Sequence, residues 1–323
     1  MSVSSADLVL PRPTAVDVQN TSTRPPIRAP TEEAFRSTFG SLLPSAKYVA
    51  TDNGRVAYYS LPPWSPNSTI IPDRVLFIHG VQTPALGMVP LVCTLHTSFP
   101  GSHFVLVDLY GHGLSDTPVV PHTPSLFYTL IDALLDHLQW PSAHLVGFSF
   151  GGGTSVGYAA SRGSSRVKSL SLVAPAGLYR SADFDAAHLR GDDEVAARKW
   201  VLNCLEGGPL VVPEDWKHRV EKGEVVAEAV REWQLREHPG HAASVVGIFR
   251  DGGVMDSHAK FAEAAKAGIP STIVLGASDD VCTEQELRDF GFPNVAVIPG
   301  GHGIVRESVP EVAALIRDFW REL

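Results

Sequence analysis

Short apolar runs separated by amphipathic segments recur along most of the chain. Continuous apolarity within a run, rather than alternation, indicates strands that are buried on both faces. Because helical spacing lies between most of these runs, the pattern predicts an α/β fold: a mostly parallel, twisted β-sheet with helices on both faces. Six runs carry the strand pattern: 75–78, 104–107, 144–148, 170–173, 272–275 and 295–298.

An antiparallel hairpin is predicted ahead of the parallel strands. Two short segments, 47–50 and 56–59, have strand-forming side chains and flank an Asp-Asn-Gly sequence at 52–54. Asn-Gly favours the positive φ values that both central positions of a type I′ turn require. The sequence therefore predicts a type I′ hairpin that opens the sheet.

Two amphipathic helices are predicted to cover the sheet. Residues 126–138 and 312–319 place apolar side chains at intervals of three and four. The second segment follows Ser308 and Glu311, which have the spacing of a capping box at a helix start. We therefore expect Ser308 to cap the C-terminal helix.

The pattern divides the chain into an extension, a core in two parts and an insertion. Residues 1–35 form the N-terminal extension, whose first thirty residues are rich in Ser, Thr and Pro and are predicted to be an extended or disordered arm. Residues 36–178 and 267–323 carry the strand pattern and form the predicted core. Residues 179–266 have hardly any strand signal and are predicted to form four to six short helices.

The insertion is predicted to be a helical cap, or lid. Open α/β sheets bind ligands beyond the C-terminal ends of their strands, and the insertion follows such an end. Its aromatic residues, among them Trp200, Trp216 and Phe249, are expected to be local core more often than substrate contacts.

Composition indicates a globular protein with an acidic surface. The chain has 323 residues, 44% of them hydrophobic, and a net charge of −9. Nucleic-acid binding needs clustered Lys and Arg to neutralise phosphates, so we expect no nucleic-acid partner. No apolar stretch approaches the roughly 20 residues of a membrane span, so none is predicted.

The cysteines and the N-terminus favour a cytoplasmic location. Cys93, Cys204 and Cys282 are far apart and have neither metal-site nor disulfide spacing. The N-terminus lacks the long apolar segment of a signal peptide. A reducing, cytoplasmic compartment fits best, whereas oligomeric state has no signal in the sequence.

The sequence Gly-Phe-Ser-Phe-Gly at 147–151 predicts a nucleophile elbow. It directly follows an apolar run, and the glycines allow the tight strand-to-helix turn that lifts Ser149 clear of its neighbours. The helix that begins there points its N-terminal N–H groups at a developing oxyanion. Ser149 is therefore the candidate nucleophile.

A base and an acid for Ser149 stand at the ends of later strands. His302 follows the 295–298 strand on a Pro-Gly-Gly loop, which makes it the candidate base. Asp279 and Asp280 both follow the 272–275 strand, and position in the strand leaves the choice between them open. The loop after the sixth strand offers no carboxylate.

Two backbone N–H groups are candidates for an oxyanion hole. One belongs to Phe150, immediately after the nucleophile. The other belongs to the loop after the 75–78 strand and is assigned to Val81, with the Gln82 amide as a less favoured donor. No metal-ligand cluster and no nucleotide-binding motif is present, so we expect neither a metal nor a cofactor.

Together these motifs resemble the α/β-hydrolase fold superfamily, over about residues 45–178 and 267–323. The resemblance implies Ser149 as nucleophile, Asp279 as acid because it follows Gly276 by three residues, and His302 as base. Five motifs carry it in order: the Ser149 elbow, His79-Gly80, the segment 108–116, the Gly-Ala-Ser-Asp at 276–279 and Gly301-His302.

The resemblance implies a serine hydrolase that forms an acyl-enzyme on an ester, lactone or thioester of a small to medium apolar molecule. The same residues serve carbon–carbon bond hydrolases and cofactor-free perhydrolases, and some proteins of this fold are ligand receptors with minimal turnover. A serine rather than an aspartate at the elbow argues against epoxide hydrolases and haloalkane dehalogenases.

Overall fold

A computed structural model describes residues 8–13, 24–65, 72–183, 189, 193–206 and 209–323. An eight-stranded sheet runs through its centre in the order β1-β2-β4-β3-β5-β6-β7-β8. β2 pairs antiparallel with β1 and β4, and the remaining neighbours pair in parallel. The strands are β1 Lys47–Thr51, β2 Gly54–Leu61, β3 Arg74–Ile78, β4 His103–Val107, β5 Ala143–Phe148, β6 Val167–Val173, β7 Ser271–Gly276 and β8 Val295–Ile298.

The predicted α/β class is confirmed, because each of the six apolar runs lies within one of the parallel strands β3 to β8. Helices α5 to α9 all lie between β6 and β7. No helix in the described ranges is both long and apolar enough to cross a lipid bilayer. The helices are α1 Glu32–Phe39, α2 Val89–Ser98, α3 Pro124–His137, α4 Phe150–Arg162, α5 Glu194–Glu206, α6 Trp216–Glu221, α7 Ala227–Glu237, α8 His241–Asp251, α9 His258–Lys266, α10 Glu284–Phe290, α11 Ile304–Glu307 and α12 Val309–Arg321.

Both faces of the sheet are buried, by different helices. In β3, Leu76 and Ile78 belong to the core that contains α3, α4 and α9. Val75 and Phe77 belong to the core that contains α1, α2 and α12. Side chains alternate between the two faces of a strand, so two apolar layers require an unbroken apolar run. This double burial explains the strand pattern in the sequence.

The β1–β2 turn differs from the predicted type I′ geometry. Thr51 pairs with Gly54 across the hairpin, so the loop consists of Asp52 and Asn53. Of the four residues only Gly54 has a positive φ, of 121°. The Thr51 hydroxyl donates to the Gly54 carbonyl at 2.7 Å and accepts from the Asn53 N–H at 3.1 Å. The type I′ prediction is wrong because this side chain supports a turn without positive φ at Asn53.

The predicted capping box at Ser308 is also absent. Ser308 ends α11 and precedes α12, and its backbone N–H donates to the Ile304 carbonyl. Its hydroxyl donates to the Pro299 carbonyl at 3.4 Å instead of capping α12. Ser308 is the C-terminal cap residue of α11, and its side chain does not accept from the first N–H groups of α12. Ser308 and Glu311 therefore form no capping box. A capping box is present at α10, between Thr283 and Glu286.

Residues 8–13 form a strap across helices α5 and α8. The Leu10 side chain is buried, with 2% of its surface exposed. Arg198 on α5 donates to the Leu8 carbonyl at 2.9 Å, and Arg250 on α8 donates to the Leu10 carbonyl at 3.0 Å. The strap thus contacts two helices that lie about two hundred residues further along the chain.

Candidate active site

Ser149 occupies the turn between β5 and α4. β5 ends at Phe148 and α4 begins at Phe150. Ser149 has φ 53° and ψ −120°, a conformation that L-residues rarely adopt. A Cβ at Gly151 would lie 2.1 Å from the Ile78 carbonyl oxygen, so only glycine fits there. The glycine therefore allows the helix to start against β3 while Ser149 stays at the end of the sheet.

His302 joins Ser149 to Asp279. Its Nε2 lies 2.8 Å from Ser149 Oγ, and its Nδ1 lies 2.9 Å from Asp279 Oδ2. A carboxylate only accepts hydrogen bonds, so the proton of neutral His302 belongs on Nδ1 and the Ser149 hydroxyl donates to Nε2. This arrangement has the connectivity of a nucleophile, a base and an orienting acid.

Asp279 and Asp280 leave β7 in different directions. The Asp279 side chain is 2% exposed, and its Oδ1 accepts from the Val281 N–H at 3.2 Å. Asp280 accepts from the Tyr179 hydroxyl at 3.2 Å, and both of these residues line the adjoining pocket. The geometry thus brings Asp279, and not Asp280, to His302.

The two candidate oxyanion donors lie on either side of Ser149. Phe150 is the first residue of α4, where backbone N–H groups have no acceptor within the helix. A Cβ at Gly80 would lie 2.9 Å from Ser149 Cβ, so the loop that carries Val81 lies against the elbow. The Gln82 N–H donates to His112 Nε2 at 3.2 Å, and both Val81 and Gln82 line the pocket.

A cluster of buried histidines supports the loops behind the site. His79 Nε2 accepts from the Leu109 N–H at 2.9 Å, and the rings of His79 and His112 lie 5.1 Å apart. His241 on α8 lies 4.8 Å from His112. Burial lowers the pKa of His79 to about 4 and that of His241 to about 3, so both are neutral near pH 7. These neutral imidazole rings therefore serve as hydrogen-bonding groups that support the loops.

Asp108, directly after β4, anchors three segments beneath the site. Its carboxylate accepts from the Tyr59 hydroxyl at 2.7 Å, the Ala85 N–H at 2.9 Å and the Leu114 N–H at 3.0 Å. Burial raises its pKa to about 6, although these hydrogen bonds oppose the rise. Asp108 therefore fixes the loop after β3 from below.

A pocket of about 390 Å³ opens onto Ser149 and His302. Apolar and aromatic side chains from both the sheet and the β6–β7 helices form most of its wall. Among the described residues, no cluster of His, Cys, Asp and Glu is arranged to hold a metal ion. The other residues of the wall are Val81, Gln82, Thr83, Phe148, Phe150, Ala176, Tyr179, Trp200, Cys204, Leu205, Arg231, Phe249, Val254, Met255, Asp280, Val281 and Arg306.

Comparison with known proteins fits this architecture. A family model for the alpha/beta hydrolase fold matches residues 73–207. The enol-lactonase of Burkholderia xenovorans LB400 superposes with a TM-score of 0.63 at 19% identity, over 84% of this chain and 99% of that one. The chain has the α/β-hydrolase fold, and its residues 73–207 match that family.

Two relatives align with parts of this chain. The dihydrolipoyllysine-residue acetyltransferase component of the acetoin cleaving system from Pseudomonas putida is 28% identical over 225 residues, or 68% of this chain. The 3-oxoadipate enol-lactonase 2 of Acinetobacter baylyi (strain ATCC 33305 / BD413 / ADP1) is 47% identical over 55 residues, or 17% of this chain. These alignments span 56% and 21% of the two relatives, so neither is matched over its whole length.

The pocket also contains a residue that the sequence did not single out. Trp200 and Phe249 line the pocket and also pack against a small core within the insertion, as expected of its aromatic residues. Trp216 also fits that expectation, because its ring lies 6.4 Å from the Phe39 ring and it does not line this pocket. Arg306 was missed, and its one available signal was a position four residues after His302.

Proposed function

We propose that this chain is a serine hydrolase that cleaves an ester, lactone or thioester through an acyl-enzyme on Ser149. One observation carries the proposal: the continuous hydrogen-bonded path from Ser149 Oγ through His302 to Asp279, at the base of a pocket. A serine hydroxyl needs a neighbouring base to become nucleophilic, and the base needs an acid that fixes its tautomer.

In the acylation step, Ser149 Oγ bonds to the substrate's acyl carbon while its proton moves to His302 Nε2. The carbonyl oxygen becomes an oxyanion, for which the Phe150 and Val81 N–H groups are the proposed donors. Collapse of this intermediate breaks the bond to the leaving oxygen or sulfur. His302 returns its proton to that atom, and Asp279 stabilises the imidazolium in between.

Deacylation repeats these steps with water as the nucleophile. Water bonds to the acyl carbon and gives one proton to His302 Nε2. The bond to Ser149 Oγ then breaks, and the proton on His302 restores the Ser149 hydroxyl. The carboxylic acid product leaves, and the protein returns to its starting state without a net change in charge.

The pocket favours small or medium molecules over polymers. Its volume of about 390 Å³ falls within the range of small-molecule sites. We propose residues 179–266 as a cap, since Trp200 on α5 and Phe249 on α8 form part of the wall above Ser149. An ester or lactone is also in keeping with the enol-lactonases found among the relatives and structural neighbours.

A fluorophosphonate label read by intact mass and peptide mapping tests the proposal. We expect one label per chain, on the peptide that contains Ser149, and no label in Ser149→Ala. Ser161→Ala, on the same helix but facing its own backbone at Gly157, is the matched control and should label fully. Labelling at another residue, or full labelling of Ser149→Ala, would contradict the assignment.

Turnover distinguishes an enzyme from a receptor with the same residues. A panel of ester, lactone and thioester substrates should give a sustained steady state at protein concentrations far below that of substrate. A single slow event per molecule would instead favour a receptor, and the hydrolase proposal would then be wrong even if Ser149 were labelled.

A further inference from the structure

Arg306 places a positive charge in the wall of the pocket, one helical turn after His302. It lies on α11, and its Nη1 atom is buried without a hydrogen-bond partner among the described residues. No carboxylate of the described chain lies within 4.0 Å of its guanidinium. A buried cationic donor without a partner costs free energy that a surface arginine does not.

The guanidinium faces the same space as the nucleophile. Its Cζ lies 5.5 Å from the centre of the Phe148 ring, and that ring lies 5.2 Å from His302. A Cβ at Gly87 would lie 3.8 Å from Arg306 Nη1, which places the guanidinium beside the loop that follows β3. Arg306 therefore reaches the pocket between the elbow and the loop that carries Val81.

A second arginine lines the same pocket. Arg231 on α7 forms an ion pair with Glu228 at 3.4 Å, and its charge is close enough to lower the pKa of Arg306. Burial is the main cause of that lowered pKa, and the carboxylate of the exposed Glu307 opposes it. Arginine side chains remain protonated in proteins, so Arg231 and Arg306 repel each other across the pocket wall.

The one carboxylate in the wall does not balance the two arginines. Asp280 lines the pocket and accepts from Tyr179, whereas Asp279 contacts His302 outside the wall. The wall thus has two guanidinium groups and one carboxylate. A bound anion would supply the missing acceptor of Arg306 and reduce its repulsion with Arg231. A carboxylate matches the planar fork of a guanidinium and can accept two parallel hydrogen bonds.

We propose that the substrate carries a free carboxylate besides its scissile acyl group, and that Arg306, with Arg231 alongside, binds it. This inference rests on the proposed hydrolase function and narrows its substrate from an apolar molecule to a small acid ester or acid lactone. Arg306 acts as a specificity residue: it holds the part of the substrate that does not react.

A matched pair of esters tests this inference. The anionic member is the p-nitrophenyl monoester of adipic acid, whose chain is long enough to disfavour cyclisation. The neutral member has an isopropyl group in place of the carboxylate. The readout is the ratio of kcat/KM for the anionic ester to that for the neutral ester, with spontaneous hydrolysis subtracted.

We expect the wild-type ratio to exceed ten, although the protein's net charge of −9 repels the anionic ester at long range. Arg306→Met should lower the ratio at least tenfold. Arg306→Lys keeps the positive charge and the aliphatic stem but loses the planar guanidinium. Its ratio should lie between those of the wild type and Arg306→Met, and it replaces Arg306→Met as the test if that variant does not fold. Arg317→Met removes a half-buried arginine that pairs with Asp318 on α12, outside the pocket, and should leave the ratio unchanged.

A wild-type ratio near or below one would overturn the inference, as would a ratio that Arg306→Met and Arg306→Lys leave unchanged. Failure of the hydrolase proposal has a different signature: neither ester gives sustained turnover, whether or not Ser149 takes a fluorophosphonate label. In that case calorimetric titration with monomethyl adipate and dimethyl adipate still decides. If monomethyl adipate binds the wild type more tightly than dimethyl adipate does, and Arg306→Met abolishes that difference, the carboxylate site is supported. If the two compounds bind the wild type equally, the inference is overturned.

Discussion

The Tyr179 hydroxyl donates to Asp280 at 3.2 Å and holds that carboxylate in the pocket wall. The adjacent carboxylate, Asp279, accepts from His302 at 2.9 Å. Two consecutive acids thus have different partners, because successive side chains beyond a strand end point in different directions. This difference leads directly to the first prediction.

Asp279→Asn should lower kcat by about 10⁴-fold, the loss seen for the equivalent change in serine proteases. An amide NH₂ in place of the acceptor oxygen favours the His302 tautomer that cannot accept the Ser149 proton. Asp280→Asn should lower kcat less than tenfold, since the amide can still accept from Tyr179. Steady-state kinetics on variants shown to be folded by circular dichroism check this. The reverse ranking would assign the acid to Asp280.

Changes in the pocket wall should reorder substrates. Trp200→Ala and Phe249→Ala should each change the kcat/KM ratio of p-nitrophenyl octanoate to p-nitrophenyl acetate by about tenfold, the scale of one or two apolar contacts. Trp216→Ala is the control, because Trp216 packs against Phe39 outside the pocket. It should cost about 1–3 kcal/mol of stability and leave the ratio unchanged. Equal effects of all three variants on both esters would refute a role of the wall in specificity.

Stability should fall steeply as the pH drops from 6.5 towards 4. Burial lowers the pKa of several histidines well below the unfolded value of 6.5, so the unfolded chain binds more protons in this window. Each such histidine costs about 1.4 kcal/mol per pH unit until its folded pKa is reached. The histidines with a pKa of about 4 or lower are His79, His122, His144, His238 and His241.

Asp108 acts in the opposite direction. Burial raises its pKa to about 6, so its contribution is favourable at low pH and is lost as the pH rises from 3.8 through 6. One such group does not offset five histidines. Urea unfolding at a series of pH values should therefore give a free energy of unfolding that decreases below pH 6.5, with a smaller slope in His144→Gln. A constant free energy from pH 7 to 4.5 would contradict this prediction.

The strap should contribute measurably to stability through Leu10. Leu10→Ala should lower the free energy of unfolding by about 2 kcal/mol, as expected for a buried leucine. Val9→Ala, at the exposed neighbouring position, should cost less than about 0.5 kcal/mol. Chemical unfolding of the two variants provides the comparison. Equal effects would mean that the strap does not stay docked in solution.

Local signals in the sequence were sufficient for the sheet and for the elements that carry the candidate site. Each parallel strand is buried on both faces, which leaves an unbroken apolar run, and the elbow at Ser149 requires glycines that the sequence displays. His302 follows β8 and Asp279 follows β7, and these two strands are adjacent, so the order of the strands brings the two residues close together. The resemblance implied Asp279 as the acid, but the strand position alone left Asp279 and Asp280 open, and the contact between Asp280 and the distant Tyr179 had no signal in the sequence.

Features that depend on distant partners were not predictable. Arg306 resembles any helical arginine until Phe148 and Arg231 are seen beside it. The type I′ turn failed because the Thr51 side chain, rather than Asn-Gly preference, determines the hairpin geometry. Leu10 lies in a segment without apolar periodicity, and its burial depends on α8, where its side chain lies against Gly247 and Arg250 donates to its carbonyl.

The strap also sets an order of events during synthesis. Leu10 and Arg250 are 240 positions apart, so the strap leaves the ribosome long before the helix on which it docks. At typical rates of translation this interval is on the order of ten to fifty seconds. Throughout that time an apolar side chain at the N-terminus has no native partner. The beginning of the chain is therefore among the last parts of this protein to reach its native position.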